Sequence, residues 1–260
     1  MSSVFEAFSD AIMERAAVLK VIVYAIPIFL AANAYIGGQT QMFNFWKVLT
    51  AAMYLGALTF GIYSVRNCHE TVLTLNPLVL MSSILKALLV IIPHIFIWYS
   101  LGSTVIKFIP NIDSIAHFDI VMQGIVWGIV GSIVIAAYIN FASKMSVPQG
   151  FNFTKIFNSC IDVFVCIFFF IPQLLIADAL IIFPMKFTFT YLEIPLTHWG
   201  FVWYCSMVAV INLSVLANFL AQTAYENIKL NDEDYAAKYI FNDIQTDDKD
   251  KGKDKLKKFF

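Results

Sequence analysis

Residues 79–103 read Val-Leu-Met-Ser-Ser-Ile-Leu-Lys-Ala-Leu-Leu-Val-Ile-Ile-Pro-His-Ile-Phe-Ile-Trp-Tyr-Ser-Leu-Gly-Ser, and this stretch decides the fold class. Its one fixed charge is Lys86. A helix of about 20 mostly apolar residues spans the ~30 Å hydrocarbon core of a bilayer. In lipid such a helix satisfies its own backbone hydrogen bonds. Five more runs of this kind lie at roughly 18–36, 46–65, 120–142, 156–184 and 199–221. The 260 residues are 60% apolar and 13% charged, with a mean hydropathy of +0.75. A soluble domain has about 45–50% apolar and about 25% charged residues. The composition excludes a soluble globular fold, a disordered chain and a nucleic-acid binder. The expected fold is all-α: a polytopic membrane bundle of six transmembrane helices, with the lipid bilayer as its surroundings.

Charge is unevenly spread. From Glu226 to Phe260 there are nine acids and eight lysines; the preceding residues hold the other nine acids and nine bases. Three regions are therefore expected: an interfacial amphipathic helix over 1–17, a six-helix domain over 18–225, and a charged, partly disordered tail over 226–260. The leader carries Glu6, Asp10 and Glu14, unlike the basic start of a signal peptide, and lines up Val4, Phe5, Phe8 and Ile12 on one stripe. In the tail, Tyr235, Ile240, Phe241 and Ile244 suit a short amphipathic helix. Beyond them Asp and Lys alternate in a segment too polar to form a core. Leu256, Phe259 and Phe260 end the chain among lysines, where they would touch a membrane surface or a protein partner.

Positive charges set the expected orientation. Arg15, Lys20, Arg66, Lys144, Lys155, Lys229 and Lys238 fall on the side of the termini, against Lys47, Lys107 and Lys186 on the other. Seven against three places both termini in the cytoplasm.

A hairpin recurs along the chain. The odd-numbered spans carry Ile26-Pro27, Ile92-Pro93 and Ile171-Pro172, and Lys20 and Lys86 stand seven residues before their prolines. An amphipathic entry precedes each span: Val4-Phe5-Glu6-Ala7-Phe8, Leu75-Asn76-Pro77-Leu78 and Phe151-Asn152-Phe153-Thr154. The even-numbered spans run out at Tyr63, Tyr138 and Tyr225. Each unit reads as an approach, a proline-kinked helix, a loop and a straighter return, so the bundle reads as three kinked hairpin repeats. A proline inside a helix frees a carbonyl one turn earlier, and in lipid that carbonyl needs a partner inside the bundle.

Polar residues stand at fixed offsets from these kinks. Six residues past the prolines are Asn33, Tyr99 and Asp178; directly after two of them are His94 and Gln173. These five form the candidate polar cleft, and Asp178 is its sharpest member because an intramembrane carboxylate is costly and usually functional. The plainer reading is that the kinks shape packing and the polar side chains satisfy freed backbone groups or sit near the interfaces. Gly124, Gly128 and Ser132 make a small-xxx-small ridge for close helix approach, within the bundle before a dimer face.

No catalytic constellation is readable. There is no His-Glu-x-x-His, no phosphate-binding glycine loop and no Gly-x-Ser-x-Gly. Cys68, Cys160, Cys166 and Cys205 have no metal-site or disulfide spacing and read as small buried hydrophobes. Asp113, His117 and Asp119, with Glu193 and His198, fall on one side of the membrane. Their spacing is ordinary for loops, so no metal and no cofactor is expected.

Tyr138 before a short polar loop, Gly150-Phe151-Asn152-Phe153-Thr154-Lys155-Ile156-Phe157 opening a span, and Ala217-Asn218-Phe219-Leu220-Ala221-Gln222-Thr223-Ala224-Tyr225 closing the last one resemble an uncharacterised family of bacterial and archaeal polytopic membrane proteins. The resemblance covers about residues 120–227, with Asn152 where that family most often has Asp. It implies a multi-pass protein of a prokaryotic cytoplasmic membrane and lends no activity. The first expectation for function is a non-enzymatic accessory, scaffold or biogenesis factor. The second is a small-solute transporter or channel using the polar groups beside the kinks. The third is an intramembrane enzyme.

Overall fold

The computed structural model describes residues 16–67, 72–108 and 118–229, the side chains at 119 and 225–229 aside. The regular elements there are all helical: α1 (Ala17–Ile36), α2 (Thr40–Arg66), α3 (Pro77–Lys107), α4 (Phe118–Lys144), a 3-10 turn (Val147–Phe151), α5 (Phe153–Tyr191) and α6 (Trp199–Lys229). All six α-helices are long and apolar enough to cross a membrane, so the chain is read as a multi-pass membrane protein. The leader stripe, Cys68, Asp113, His117 and the tail from 230 onward lie outside the described residues.

The helices outrun the apolar stretches that announce them. Asn76 caps α3, its Oδ1 accepting from the Leu78 amide at 3.0 Å, and Pro77 occupies the first turn, where a missing N–H costs nothing. Asn152 caps α5 in the same way, accepting from the Lys155 amide at 3.2 Å. Of the three entry motifs of the sequence, these two are therefore helix starts, and the first lies outside the described residues. Pro27, Pro93, Pro172 and Pro184 all stand inside continuous helices.

α2, α4 and α6 touch one another pairwise, and each odd helix lies between two of them: α1 against α2 and α6, α3 against α2 and α4, α5 against α4 and α6. The inner helices meet closely because small residues line their crossings. A Cβ on Gly61 would come within 2.8 Å of the Ala217 Cβ and 3.0 Å of the Val72 carbonyl, so only glycine admits this approach of α2 to α6. Around that crossing Ile62, Ala136, Ala137, Phe141, Ala142 and Val215 are wholly buried.

Packing is uneven along the bundle. On α2 the buried residues all fall between Gly56 and Arg66, and on α4 between Ser132 and Ser143. The end of the bundle that carries the start of α1 and the end of α6 is thus the packed end. The opposite, hairpin end holds the connections α1–α2, α3–α4 and α5–α6, and its helices are more exposed. α5 is the outlier. It has 39 residues, about 58 Å of helix, yet only 6% of its most apolar window is covered by the rest of the protein, against 22–44% for the other five.

Candidate functional site

Asp178 on α5 faces Asn212 on α6. The Asn212 Nδ2 donates to Asp178 Oδ1 at 2.9 Å and Oδ2 at 3.0 Å. Asn212 stands at the middle of the span Trp199–Ala224. Both residues lie thirteen positions from the hairpin end of their helices, about 20 Å along the axis. The carboxylate is therefore inside the span, half-buried, and held by a side chain of the neighbouring helix. The Asn212 Oδ1 is itself buried and makes no hydrogen bond among the described residues. Two further contacts dock α5 onto α6: Phe170 stacks on Phe219 with centroids 4.1 Å apart, and the Tyr204 hydroxyl donates to the Ile181 carbonyl at 2.9 Å.

The other four residues of the expected cleft each meet different surroundings. Asn33 turns back on its own helix and donates to the Phe29 carbonyl at 2.8 Å. Tyr99 is 60% exposed and stacks on Trp127. Gln173 is exposed on α5. His94 is buried between α3 and the 3-10 turn, where its Nε2 lies 2.7 Å from the Gly150 carbonyl and its Nδ1 accepts from Trp98 Nε1 at 3.1 Å. Because an indole N–H only donates and a carbonyl only accepts, the ring proton must sit on Nε2. The ring also stacks on Phe151 at 5.1 Å.

Gly150 makes the His94 clamp possible. A Cβ there would meet Val90 at 2.6 Å and Phe141 at 3.1 Å, so the backbone of the turn can reach the histidine only without a side chain. Deeper in the centre, Thr59 and Tyr138 share a buried hydrogen bond of 2.8 Å between α2 and α4. Asn140 donates to its own Ala136 carbonyl and to Ser159 on α5. These groups are joined across helices, as buried polar groups in lipid require.

The ridge Gly124, Gly128, Ser132 engages at one end. Ser132 is buried and a Cβ on Gly128 would stand 3.5 Å from the Phe164 ring, whereas nothing among the described residues stands within 4 Å of a Cβ at Gly124. In the α5–α6 connection His198 Nδ1 accepts from the Gly200 amide at 3.2 Å, and Glu193 has a left-handed backbone, φ 57°. Among the described residues no three His, Cys, Asp or Glu side chains stand together as a metal site.

Asn212, Trp98 and Gly150 are partners of the candidate residues that the sequence reading passed over. Asn212 had a signal, being an amide inside the apolar run Val208–Leu216 that must find a partner in lipid. Trp98 had only helical spacing from His94. Compared with models of known protein families, with curated proteins and with solved structures, the chain matches none.

Proposed function

We propose that this protein is a non-catalytic integral membrane protein that works by association, as an accessory, scaffold or biogenesis factor. The observation that carries this reading is the centre of the bundle. Where α2, α4 and α6 cross, the interior is closely packed alanine, isoleucine and phenylalanine, and the polar residues of the expected cleft are distributed over separate partners. Thr59 and Tyr138, a polar pair deep in that crossing, are bonded to each other rather than lining a passage for solute.

The contact pattern, three inner and three outer helices in alternation, supports the reading of three hairpin repeats. The positive-charge count supports cytoplasmic termini. The resemblance of residues 120–227 supports a prokaryotic cell membrane. On this reading the charged tail is the docking segment for a protein partner. Purification from native-level expression in a mild detergent, with mass spectrometry of co-eluting chains, tests it. A stoichiometric partner that disappears when residues 230–260 are deleted is the expected result; a full-length protein that elutes with no partner overturns it.

One observation favours transport as a second reading, the Asp178–Asn212 pair at mid-span, since intramembrane carboxylates mark ion and proton paths. Reconstitution in vesicles decides it. Ion or proton flux through the wild-type protein that stops in Asp178→Asn establishes transport, and no flux in either removes it.

A further inference from the structure

The outward face of α5 carries a regular seam. Phe169, Gln173, Ile176, Leu180, Phe183 and Phe187 succeed one another at spacings of four, three, four, three and four. That is the a/d pattern of a left-handed helix pair, with Gln173, Leu180 and Phe187 at one position and Phe169, Ile176 and Phe183 at the other. The five apolar members are 55–75% exposed. An open groove of about 780 Å³ runs along the same face, lined by Ile176, Leu180, Phe183 and Phe187 among others. Gln173 is exposed as well and makes no hydrogen bond among the described residues. It lies 18 residues from one end of α5 and 20 from the other, which places an unpaired amide deep in the span. Lipid tails cannot satisfy it.

We infer that α5 pairs with α5 of a second copy along this seam, in a parallel two-fold dimer in which the Gln173 amides hydrogen-bond to each other across the axis. The choice of a second copy rests on self-complementarity. A carboxamide both donates and accepts, so it is its own partner. A two-fold axis along the membrane normal brings the two Gln173 side chains to one depth automatically. A lipid would cover Leu180 and Phe187 but leave the amide unmet. A foreign helix would need a polar group at the same depth. A single polar residue at an a position is also the device that fixes register and strand number in such pairs. The inference goes beyond the accessory reading and does not depend on the tail.

The test is cysteine cross-linking in native membranes of the full-length chain, with Cys68, Cys160, Cys166 and Cys205 replaced by alanine. Cysteines at 176 and 180 are expected to give disulfide-linked dimer. Cysteines at 168 and 175, equally exposed but off the seam, are expected to give none. In a detergent dilution series Gln173→Leu is expected to weaken dimerisation about tenfold and Gln173→Asn to retain it, the scale of interhelical amide bonds in membranes. Cross-linking equal at all four positions, cross-linking to a foreign chain, no cross-linking at all, or an unchanged dimer constant in Gln173→Leu each overturns the inference.

Discussion

Pro93-His94 on α3 and Pro172-Gln173 on α5 place a polar side chain directly after a helix-interior proline, in the middle of a long apolar helix, and the two side chains end in opposite environments. His94 is 1% exposed, bonded on both ring nitrogens and stacked on Phe151. Gln173 is exposed and bonded to nothing among the described residues of its own chain. The difference comes from the short segment after α4. The 3-10 turn Val147–Phe151 folds back against α3 and α4 and delivers the Gly150 carbonyl to His94. Among the described residues no such turn covers the outer face of α5. One polar residue is a fastener inside the molecule, and the other is a group that only a neighbour in the membrane can satisfy.

The largest effect expected from breaking this contrast is at the fastener. His94→Phe keeps a ring to stack on Phe151 but strips the buried Gly150 carbonyl and the half-buried Trp98 N–H of their partner. Each stranded group costs about 1–3 kcal/mol, so destabilisation on the order of 3 kcal/mol is expected in an SDS titration of the protein in mild detergent. An unchanged midpoint would show that the clamp contributes no net stability. Gly150→Ala comes next, because its Cβ would meet Val90 at 2.6 Å and push the turn off α3. Overpacking of this kind costs about 1–3 kcal/mol, and the loss should add only in part to that of His94→Phe, since both changes break the His94–Gly150 hydrogen bond while the Trp98 bond, internal to α3, is lost only in His94→Phe.

How much of this could be read in the sequence depends on the kind of signal. Hydropathy locates the six helices because crossing lipid requires an apolar run, and the observed elements contain every expected span. It stops short at the ends: α5 runs to Tyr191 where the apolar reading ended at 184, because helical hydrogen bonding continues past Pro184. That Asn76 and Asn152 cap the helices is local chemistry which the sequence reading passed over, but the stretches around them were legible as amphipathic entries. Pairings across helices were not. Nothing near Asp178 in the chain points to Asn212, thirty-four residues on, and nothing near His94 points to Gly150, because crossing geometry selects those partners. The proline offsets drew His94, Gln173 and Asp178 into one group, but an offset along a helix does not say which face meets protein and which meets lipid.

Asp178 and Asn212 stand between the two extremes, half-buried and bonded to each other, with the Asn212 Oδ1 left without a partner among the described residues. A double-mutant cycle of Asp178→Leu and Asn212→Leu should give a coupling of about 1 kcal/mol, the scale of interhelical hydrogen bonds in membrane proteins, where the unfolded chain in lipid also finds partners. A coupling near zero would mean that the two hydrogen bonds of 2.9 and 3.0 Å add nothing beyond separate burial.

The smallest effect is expected at Gln173, and its smallness is what the contrast requires. Measured on the monomer, at a protein-to-detergent ratio low enough to separate any dimer, Gln173→Leu should move the unfolding midpoint by no more than about 0.5 kcal/mol, as substitutions on an exposed face usually do. The replaced amide is bonded to none of the described residues, so no bond is broken and no cavity is opened. A loss comparable to that of His94→Phe would mean that Gln173 is bonded within the monomer, and the two proline-adjacent residues would then be fasteners of the same kind. A midpoint that stays put while self-association weakens would assign the amide to the contact between molecules, because a group can matter for association and not for folding only if its partner lies in another chain.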